Sequence, residues 1–273
     1  MSGIRFMAVE YRPYRSKRIL NVHKHVDGGW FWDKYSAHPY VGCEHGCEFC
    51  YSRSRKYLQT DNPEYFSKLI KVKTNAPEQP RKELAKVPCD IIVAGDYQPA
   101  EGRFRLSRKM LEVVRSTAEH CGRYVLAGGG LTLDDNVKTR YMKLIQDHFP
   151  SLVEKYDELH SSEDVLRRYA AAVGKKIAML CEKYGVADRI PRYIPDSPLK
   201  RNRKISTALF DRVYRLELEL ESPHKIWAYR KAAWAIEELE ENIEELYRSG
   251  RLEEVPGVGK TLAAEIEKML ERV

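Results

Sequence analysis

Three of the six cysteines fall within eight residues of one another. Cys43, Cys47 and Cys50 lie in the run CEHGCEFC and have the spacing C-x3-C-x2-C. Three thiolates on one short loop can ligate three corners of an iron–sulfur cubane, whereas complete ligation by protein takes four cysteines. One iron would then remain open to a small molecule. Gly42 and Gly46 suit a loop that must fold tightly round a cofactor.

A zinc site and three unrelated thiols are the alternatives for this cysteine loop. His45 could be the fourth zinc ligand, although it lies between the cysteines and not at the spacing usual in zinc fingers. The chain shows no export signal, so its thiols are expected to stay reduced. We expect Cys89, Cys121 and Cys181 to be buried as small apolar side chains.

Strands and one helix are predicted to position the cysteine loop. Tyr40 and Val41 are predicted to end a short strand that runs into it. The apolar run CDIIVA, residues 89–94, predicts a buried parallel strand. Apolar residues at helical spacing predict a helix over 106–119, and a further short strand is predicted at 124–127.

The rest of the chain is predicted to be helical. The predicted helices cover residues 134–148, 151–160, 162–184, 205–220, 224–238 and 240–248, followed by a last helix to the C-terminus. A basic, proline-rich stretch at 189–204 interrupts this pattern. We therefore predict one domain over residues 1–190, a linker at 191–204 and a second domain over 205–273.

The cysteine loop and several other runs resemble the radical S-adenosyl-L-methionine (SAM) proteins of the spore photoproduct lyase-like branch, also called DNA repair photolyase-related. The spacing of the cysteines, with Phe49 just before the third, is the pattern of those proteins. The runs KVKTNAPEQPRKEL, IIVAGDYQPAEGRFRLSRKMLEV and YVLAGGGLTL also resemble them. Together the similar runs extend over about residues 15–190.

The resemblance implies a 4Fe-4S cluster on Cys43, Cys47 and Cys50. Its open iron would bind SAM and reduce it to a 5′-deoxyadenosyl radical, with electrons from a separate donor. The resemblance also places the turn Gly95-Asp96-Tyr97, together with Phe49, near the SAM. In photoproduct lyases a cysteine ahead of an equivalent strand returns a hydrogen atom to the repaired thymine. Cys89 falls at a loosely similar place, although it could simply pack there.

The resemblance implies an α/β fold, a partial barrel of six βα units, but this chain has too few residues between its predicted strands for that number. We therefore predict a shortened partial barrel that lacks its middle strands. Unpaired strand edges are costly unless something covers them. A second copy of the chain could complete the sheet, or the barrel could be a remnant with little chemistry.

The C-terminal segment contains a second motif that could bind a ligand. The run Pro256-Gly257-Val258-Gly259-Lys260 lies between an amphipathic helix and the last helix. It resembles a helix-hairpin-helix element, and residues 222–273 resemble the amino-terminal domain of family X DNA polymerases. Glycines let such a turn approach a phosphate, and the N–H groups that open the helix bind the anion.

We expect Gly257, Val258, Gly259 and Lys260 to contact the DNA backbone without reading bases. The alternative is a simple turn between two packed helices. Some polymerase domains of this kind are lyases that use a lysine on the last helix. Glu265 is at the matching position here, so the resemblance does not imply that activity.

The net charge of +7 is compatible with a polyanionic partner. Residues 200–273 contribute 14 Lys/Arg and 15 Asp/Glu, so the basic surplus lies upstream of them. No run is long and apolar enough for a membrane span, and a cytoplasmic location is expected.

The working hypothesis is a radical SAM lyase of DNA repair that splits a pyrimidine photoproduct or a related lesion. The alternatives are a non-catalytic DNA-binding protein with a structural or redox-sensing cluster, and a radical SAM enzyme with a substrate other than DNA.

Overall fold

The computed structural model shows a mixed α/β chain with a helical C-terminal region. It describes residues 9–26, 32–58, 62, 64–76, 78–87, 92–94, 133 and 135–272. The helix predicted at 106–119 and the strand predicted at 124–127 lie outside these residues.

The described strands all precede residue 95, and the long helices all follow residue 134. The strands are β1 (Glu10–Tyr14), β2 (Leu20–Val22), β3 (Tyr35–Ala37), β4 (Tyr40–Val41), β5 (Leu69–Lys73) and β6 (Ile92–Ala94). The α-helices are α1 (Arg55–Leu58), α2 (Tyr65–Lys68), α3 (Gln79–Leu84), α4 (Asp135–His148), α5 (Val153–Leu159), α6 (Glu163–Tyr184), α7 (Lys200–Leu218), α8 (Pro223–Glu237), α9 (Ile243–Arg248) and α10 (Lys260–Arg272).

The strands form two three-stranded sheets, each with one parallel and one antiparallel pairing. The first sheet has the order β1-β5-β4, with β1 parallel and β4 antiparallel to β5. The second has the order β2-β3-β6, with β2 antiparallel and β6 parallel to β3. The part of the chain that the structure describes is thus α/β, but it shows no barrel of successive parallel βα units.

The helices begin and end at residues that satisfy their terminal backbone groups. Ser162 precedes α6, and its hydroxyl accepts a hydrogen bond from the Val165 N–H. Gly185 ends the same helix with φ 66°, a left-handed conformation that favours glycine. Ser222 caps α8 in the same way as Ser162 caps α6. Helix α7 begins at Lys200, five residues before the predicted start.

The largest hydrophobic core lies among helices α7 to α10. Fully buried side chains from several of these helices meet there, among them Leu209, Phe210, Leu216, Ile236, Ile243 and Ile266. Each such side chain stabilises the fold by about 1.5–3 kcal/mol relative to its exposed state. This core alone accounts for a compact helical region.

Residues from the beginning of the chain complete this helical core. Trp32 is buried and meets Phe210 edge-on, with ring centroids 5.8 Å apart. Its indole N–H donates to the Ile190 carbonyl at 2.8 Å. The Trp234 indole N–H donates to the Val26 carbonyl at 2.9 Å. These contacts attach Val26 and Trp32 to the helical region.

A buried ion pair joins the stretch predicted as a linker to helix α8. Arg192 donates to both carboxylate oxygens of Glu237, at 2.8 and 2.6 Å. The two side chains are only 1% and 9% exposed. The Arg192 guanidinium also lies 5.4 Å from the centre of the Trp32 ring. The pair is almost wholly removed from water, so each charge depends on the other for its stabilisation.

Candidate functional site

The three clustered cysteines lie on a loop of two turns between β4 and a 3-10 turn at Tyr51–Arg53. The Cys43 N–H donates to the Phe66 carbonyl at 2.7 Å, which fixes the start of the loop against α2. The Gly46 N–H donates to the Cys43 carbonyl, and the Cys50 N–H to the Cys47 carbonyl, both at 3.2 Å. All three cysteines are free and half-buried.

Gly42 is required by the close approach of the loop to β5. Its φ is 93°, and an added Cβ would lie 2.8 Å from the Leu69 carbonyl oxygen. Gly46 also has a positive φ, of 57°. The expectation that these glycines let the loop fold tightly is therefore met by the backbone itself.

Arg53 stabilises the loop through hydrogen bonds to its backbone carbonyls. Its side chain is buried, and its Nε donates to the Cys47 carbonyl at 2.7 Å. It also donates to the Gly46 carbonyl and lies 4.7 Å from the centre of the Phe66 ring. Burial, followed by the charge of Arg140, lowers the pKa of Arg53 from its ordinary value. The guanidinium thus gives the Cys47 carbonyl a second donor, beside the Cys50 N–H, and also donates to the Gly46 carbonyl.

Helix α4 is joined to the loop by Arg140. Its guanidinium makes a two-point contact with Glu48, which lies between the second and third cysteines. It also donates to Glu64 Oε1 at 2.6 Å. This hydrogen bond holds the pKa of Glu64 below its usual value. Sequence reasoning missed both arginines, since nothing in their spacing relates them to the loop.

The three thiols are close enough to influence one another. Burial raises the pKa of the Cys43 thiol, and the charges of Cys50 and Cys47 raise it further. The Cys43 Sγ also lies 3.5 Å from Nδ1 of His45.

Among the residues that the structure describes, no three His, Cys, Asp or Glu side chains are arranged to hold one metal ion. A zinc ion would need its sulfur ligands within about 2.3 Å of it. A cubane distributes its ligands over separate irons, so its cysteines lie farther apart. The thiols of this loop are thus not gathered as a single-ion site, and the 4Fe-4S cluster stays a prediction.

The other residues predicted to hold the SAM are only partly within the described structure. Phe49 is exposed and meets Tyr141 of α4 edge-on, with ring centroids 6.5 Å apart. Cys89 and the turn Gly95-Asp96-Tyr97 lie outside the described residues, as does Cys121. Cys181 is buried against Ile177, as expected for a packed thiol.

The C-terminal turn has the backbone that a hairpin needs. Gly257 has φ 82°, and an added Cβ would lie 3.6 Å from the Cβ of Lys231 on α8. Val258 is buried, and its N–H donates to the Val255 carbonyl at 2.9 Å. The Val258 side chain thus belongs to the core, so only its backbone could meet a ligand.

The last helix opens toward solvent. The Ala263 N–H donates to the Gly259 carbonyl at 2.9 Å, which is the first bond of the helix. The N–H groups of Lys260, Thr261 and Leu262 precede that bond and so have no partner within the helix. A Cβ added to Gly259 would meet nothing within 4 Å. Such a helix start can receive an anion.

Two exposed lysines flank this opening. Lys260 is the first residue of α10. Lys231 is on α8, and its side chain lies beside Gly257. Sequence reasoning missed Lys231, because only the packing of α8 brings it to the turn.

Glu265, at the position where related lyases have a lysine, accepts a hydrogen bond from the Tyr229 hydroxyl. Burial, followed by this carboxylate, raises the pKa of Tyr229.

Comparison with known proteins supports the C-terminal motif. Residues 200–272 match the helix-hairpin-helix domain family. The prediction of a helix-hairpin-helix domain is thus confirmed, and such a domain suggests nucleic-acid binding.

The chain is also 27% identical, over 112 residues, to an uncharacterized protein of Methanocaldococcus jannaschii. That match covers 41% of this chain and 40% of the relative, so the chain spans about two fifths of the relative's length. No solved structure matches the chain. Neither the helix-hairpin-helix family nor this relative adds support for the radical SAM resemblance, which stays a prediction.

No helix in the described part is both long and apolar enough to span a bilayer.

Proposed function

We propose that this protein binds the DNA backbone through its C-terminal hairpin and repairs a pyrimidine lesion with a 4Fe-4S cluster and SAM on its cysteine loop. The observation that carries the DNA-binding part is the helix start at Gly259 and Lys260, within a region that matches the helix-hairpin-helix family. The cluster rests on the cysteine spacing and its resemblance to radical SAM proteins.

The hairpin suits a phosphate better than a base. The N–H groups at the start of α10 precede the first bond of the helix and have no partner within it, and Gly259 adds no side chain that would keep a phosphate away. Lys260 and Lys231 add positive charge without a rigid donor pattern that could distinguish bases. The helical region is otherwise close to neutral, with 14 basic and 15 acidic residues over 200–273. We therefore infer sequence-independent binding of modest affinity.

The substitution Gly259→Val should weaken duplex binding by about tenfold or more, since hydrogen bonds to a charged group contribute about 1.5–3 kcal/mol. The added side chain enters open space, so the fold should remain. Gly257 is less suitable for this test because its positive φ would strain any side chain. The measurement is fluorescence anisotropy with a labelled duplex of arbitrary sequence at several salt concentrations.

A charge variant and its matched control complete this test. Lys260→Ala should lower the slope of log affinity against log salt by about 0.9, the value for one phosphate contact. Lys268→Ala removes an exposed lysine two turns farther along the same helix and should leave the slope unchanged. Wild-type affinity in both Gly259→Val and Lys260→Ala would exclude the hairpin as the DNA contact.

The cysteine loop has the parts that a cluster would require from the protein. Cys43, Cys47 and Cys50 would hold three irons, and Arg53 keeps the loop carbonyls in place beneath them. Such a cluster would supply the electron that cleaves SAM into methionine and a 5′-deoxyadenosyl radical. The ion pair of Arg140 with Glu48 holds the loop against α4. A separate electron donor would have to reach this half-buried surface.

A non-catalytic DNA-binding protein with a structural or redox-sensing cluster is the second candidate. It is favoured by the two short mixed sheets, which in the described residues do not form a barrel round a substrate. Anaerobic reconstitution of the full chain with iron, sulfide, SAM and dithionite separates the candidates. Release of 5′-deoxyadenosine supports the enzyme, whereas a stable cluster with intact SAM supports the second candidate.

A further inference from the structure

A groove of about 510 Å³ lies on the sheet formed by β1, β5 and β4. Its lining includes three cations, Arg12, Lys71 and Lys73, and two aromatic side chains, Tyr14 and Tyr57. None of the residues that line it is acidic. The groove is separate from the hairpin and has no part in the DNA contact proposed above.

Strand register explains how the cations come to share one face. Lys71 and Lys73 are two residues apart on β5, so both project to the face opposite Ile70, which is fully buried. In the parallel pairing Arg12 lies opposite Lys71, and Tyr14 lies opposite Lys73. One face of the sheet therefore carries two neighbouring pairs of side chains. Arg12 lies beside Lys71, and Tyr14 lies beside Lys73.

The concentration of positive charge is not explained by the needs of the sheet. Like charges directly opposite each other on neighbouring strands are destabilising. Arg12 has an ion pair with Glu10, with Nη2 and Oε1 2.7 Å apart, but both side chains are more than half exposed. Such an exposed pair contributes little to stability. The positively charged groove is therefore expected to be more stable with a bound anion than without one.

The aromatic rings specify the kind of anion. Tyr14 is 37% exposed and Tyr57 is 44% exposed, so both side chains can be reached from solvent. The Tyr57 ring also meets Tyr51 edge-on, with ring centroids 5.4 Å apart. Cations that follow a backbone, interleaved with exposed rings, are typical of proteins that bind single-stranded nucleic acid. In a duplex the base faces are already stacked and cannot meet a side chain.

We infer that this groove binds a single-stranded stretch of DNA, with phosphates on Arg12, Lys71 and Lys73 and bases stacked on Tyr14 and Tyr57. The groove reaches Val41, two residues before Cys43, so the strand would be held beside the cysteine loop. The inference deepens the proposed function and rests on it only in taking DNA as the polymer. It requires no cluster.

The test is anisotropy of a fluorescein-labelled oligothymidylate of about 12 nucleotides with the full chain, because single-strand sites span about 4–16 nucleotides. Tyr14→Ala should weaken binding about fivefold or more, as expected when one stacked base is lost. Lys71→Ala with Lys73→Ala should lower the salt slope by about 0.7 for each phosphate. Tyr14→Phe keeps the ring and should bind like the wild type.

Matched controls remove the same side chains outside the groove. Tyr65→Ala removes a ring as exposed as that of Tyr57, and Lys17→Ala removes an exposed cation of the same segment. Both should bind like the wild type. Tyr57→Ala tests the groove from a different element, in case Tyr14→Ala lowers the circular dichroism melting temperature.

The hairpin variant separates this inference from the proposed function. Gly259→Val should lose duplex affinity and keep oligothymidylate affinity. The groove variants should lose oligothymidylate affinity and keep duplex affinity. Wild-type oligothymidylate binding by the folded Tyr14, Tyr57 and lysine variants would overturn the groove. Loss of oligothymidylate binding in Gly259→Val alone would overturn it as well, because the single strand would then occupy the hairpin.

Discussion

Alanine at Cys47 should leave the reconstituted chain without a 4Fe-4S cluster and without 5′-deoxyadenosine formation. Two cysteines cannot hold the three irons that the loop is proposed to ligate. The same result is expected for Cys43→Ala and Cys50→Ala. The measurements are iron and sulfide per chain, the absorbance near 400 nm, and chromatography of the SAM products after anaerobic reconstitution.

Cys181→Ala is the control for these variants. Cys181 is buried in α6 and packs against Ile177, so its loss changes packing and not the loop. This variant should keep the full iron content with a modest loss of stability. Unchanged iron in Cys47→Ala would show that the loop is not the ligand. Stoichiometric zinc in wild-type protein would instead favour the zinc site with His45.

Glu237→Leu should destabilise the helical region by about 3–5 kcal/mol, because it leaves the buried guanidinium of Arg192 without a counter-charge. Arg203 lies 3.6 Å from the same carboxylate and would lose part of its stabilisation too. The expected result is a large shift of the urea midpoint followed by circular dichroism. The slope of the transition should stay unchanged.

Two further variants show whether burial causes this effect. Arg192→Met combined with Glu237→Leu replaces the pair by apolar side chains and should recover much of the lost stability. Glu217→Gln breaks the ion pair of Glu217 with Arg230. The Glu217 side chain is nearly half exposed, so the loss should be at most about 1 kcal/mol. Equal losses in Glu237→Leu and Glu217→Gln would refute the assigned role of burial.

The helical half of the fold was predictable from its periodicity. Helices expected at 134–148, 162–184 and 224–238 are found at Asp135–His148, Glu163–Tyr184 and Pro223–Glu237. Apolar residues recur there at the spacing of one helical face, and cap residues mark the ends. The hairpin was predictable for the same reason, since its glycines and flanking helices are local in sequence.

The strands were much less predictable. Tyr40–Val41 and Ile92–Ala94 fall within predicted strands, but β1, β2, β3 and β5 were not predicted. β1 reads EYRPY and is exposed along its whole length, so no buried apolar face marks it as a strand. Its pairing with β5 depends on residues 55 positions or more away in the chain. Local patterns contain no information of that range.

The candidate site divides in the same way. The thiols and the glycines of the loop were visible as a motif, because they lie within one short run. Arg140 was not, since its contacts with the loop arise from the packing of α4. Arg53 lies in the same run, but its hydrogen bonds to the loop carbonyls follow from the fold of the loop and not from residue spacing. The groove was also missed, because Arg12 and Lys71 become neighbours only through the strand register.

The packing of Trp32 on Phe210 also bears on how the nascent chain folds on the ribosome. Translation adds about 5–20 residues per second, so Trp32 emerges roughly 10–40 seconds before its partner is made. During that interval a large indole has no core to enter and is open to chaperones. The core that Trp32 enters is therefore completed only once the carboxy-terminal helices exist, and early termination should yield an aggregation-prone fragment.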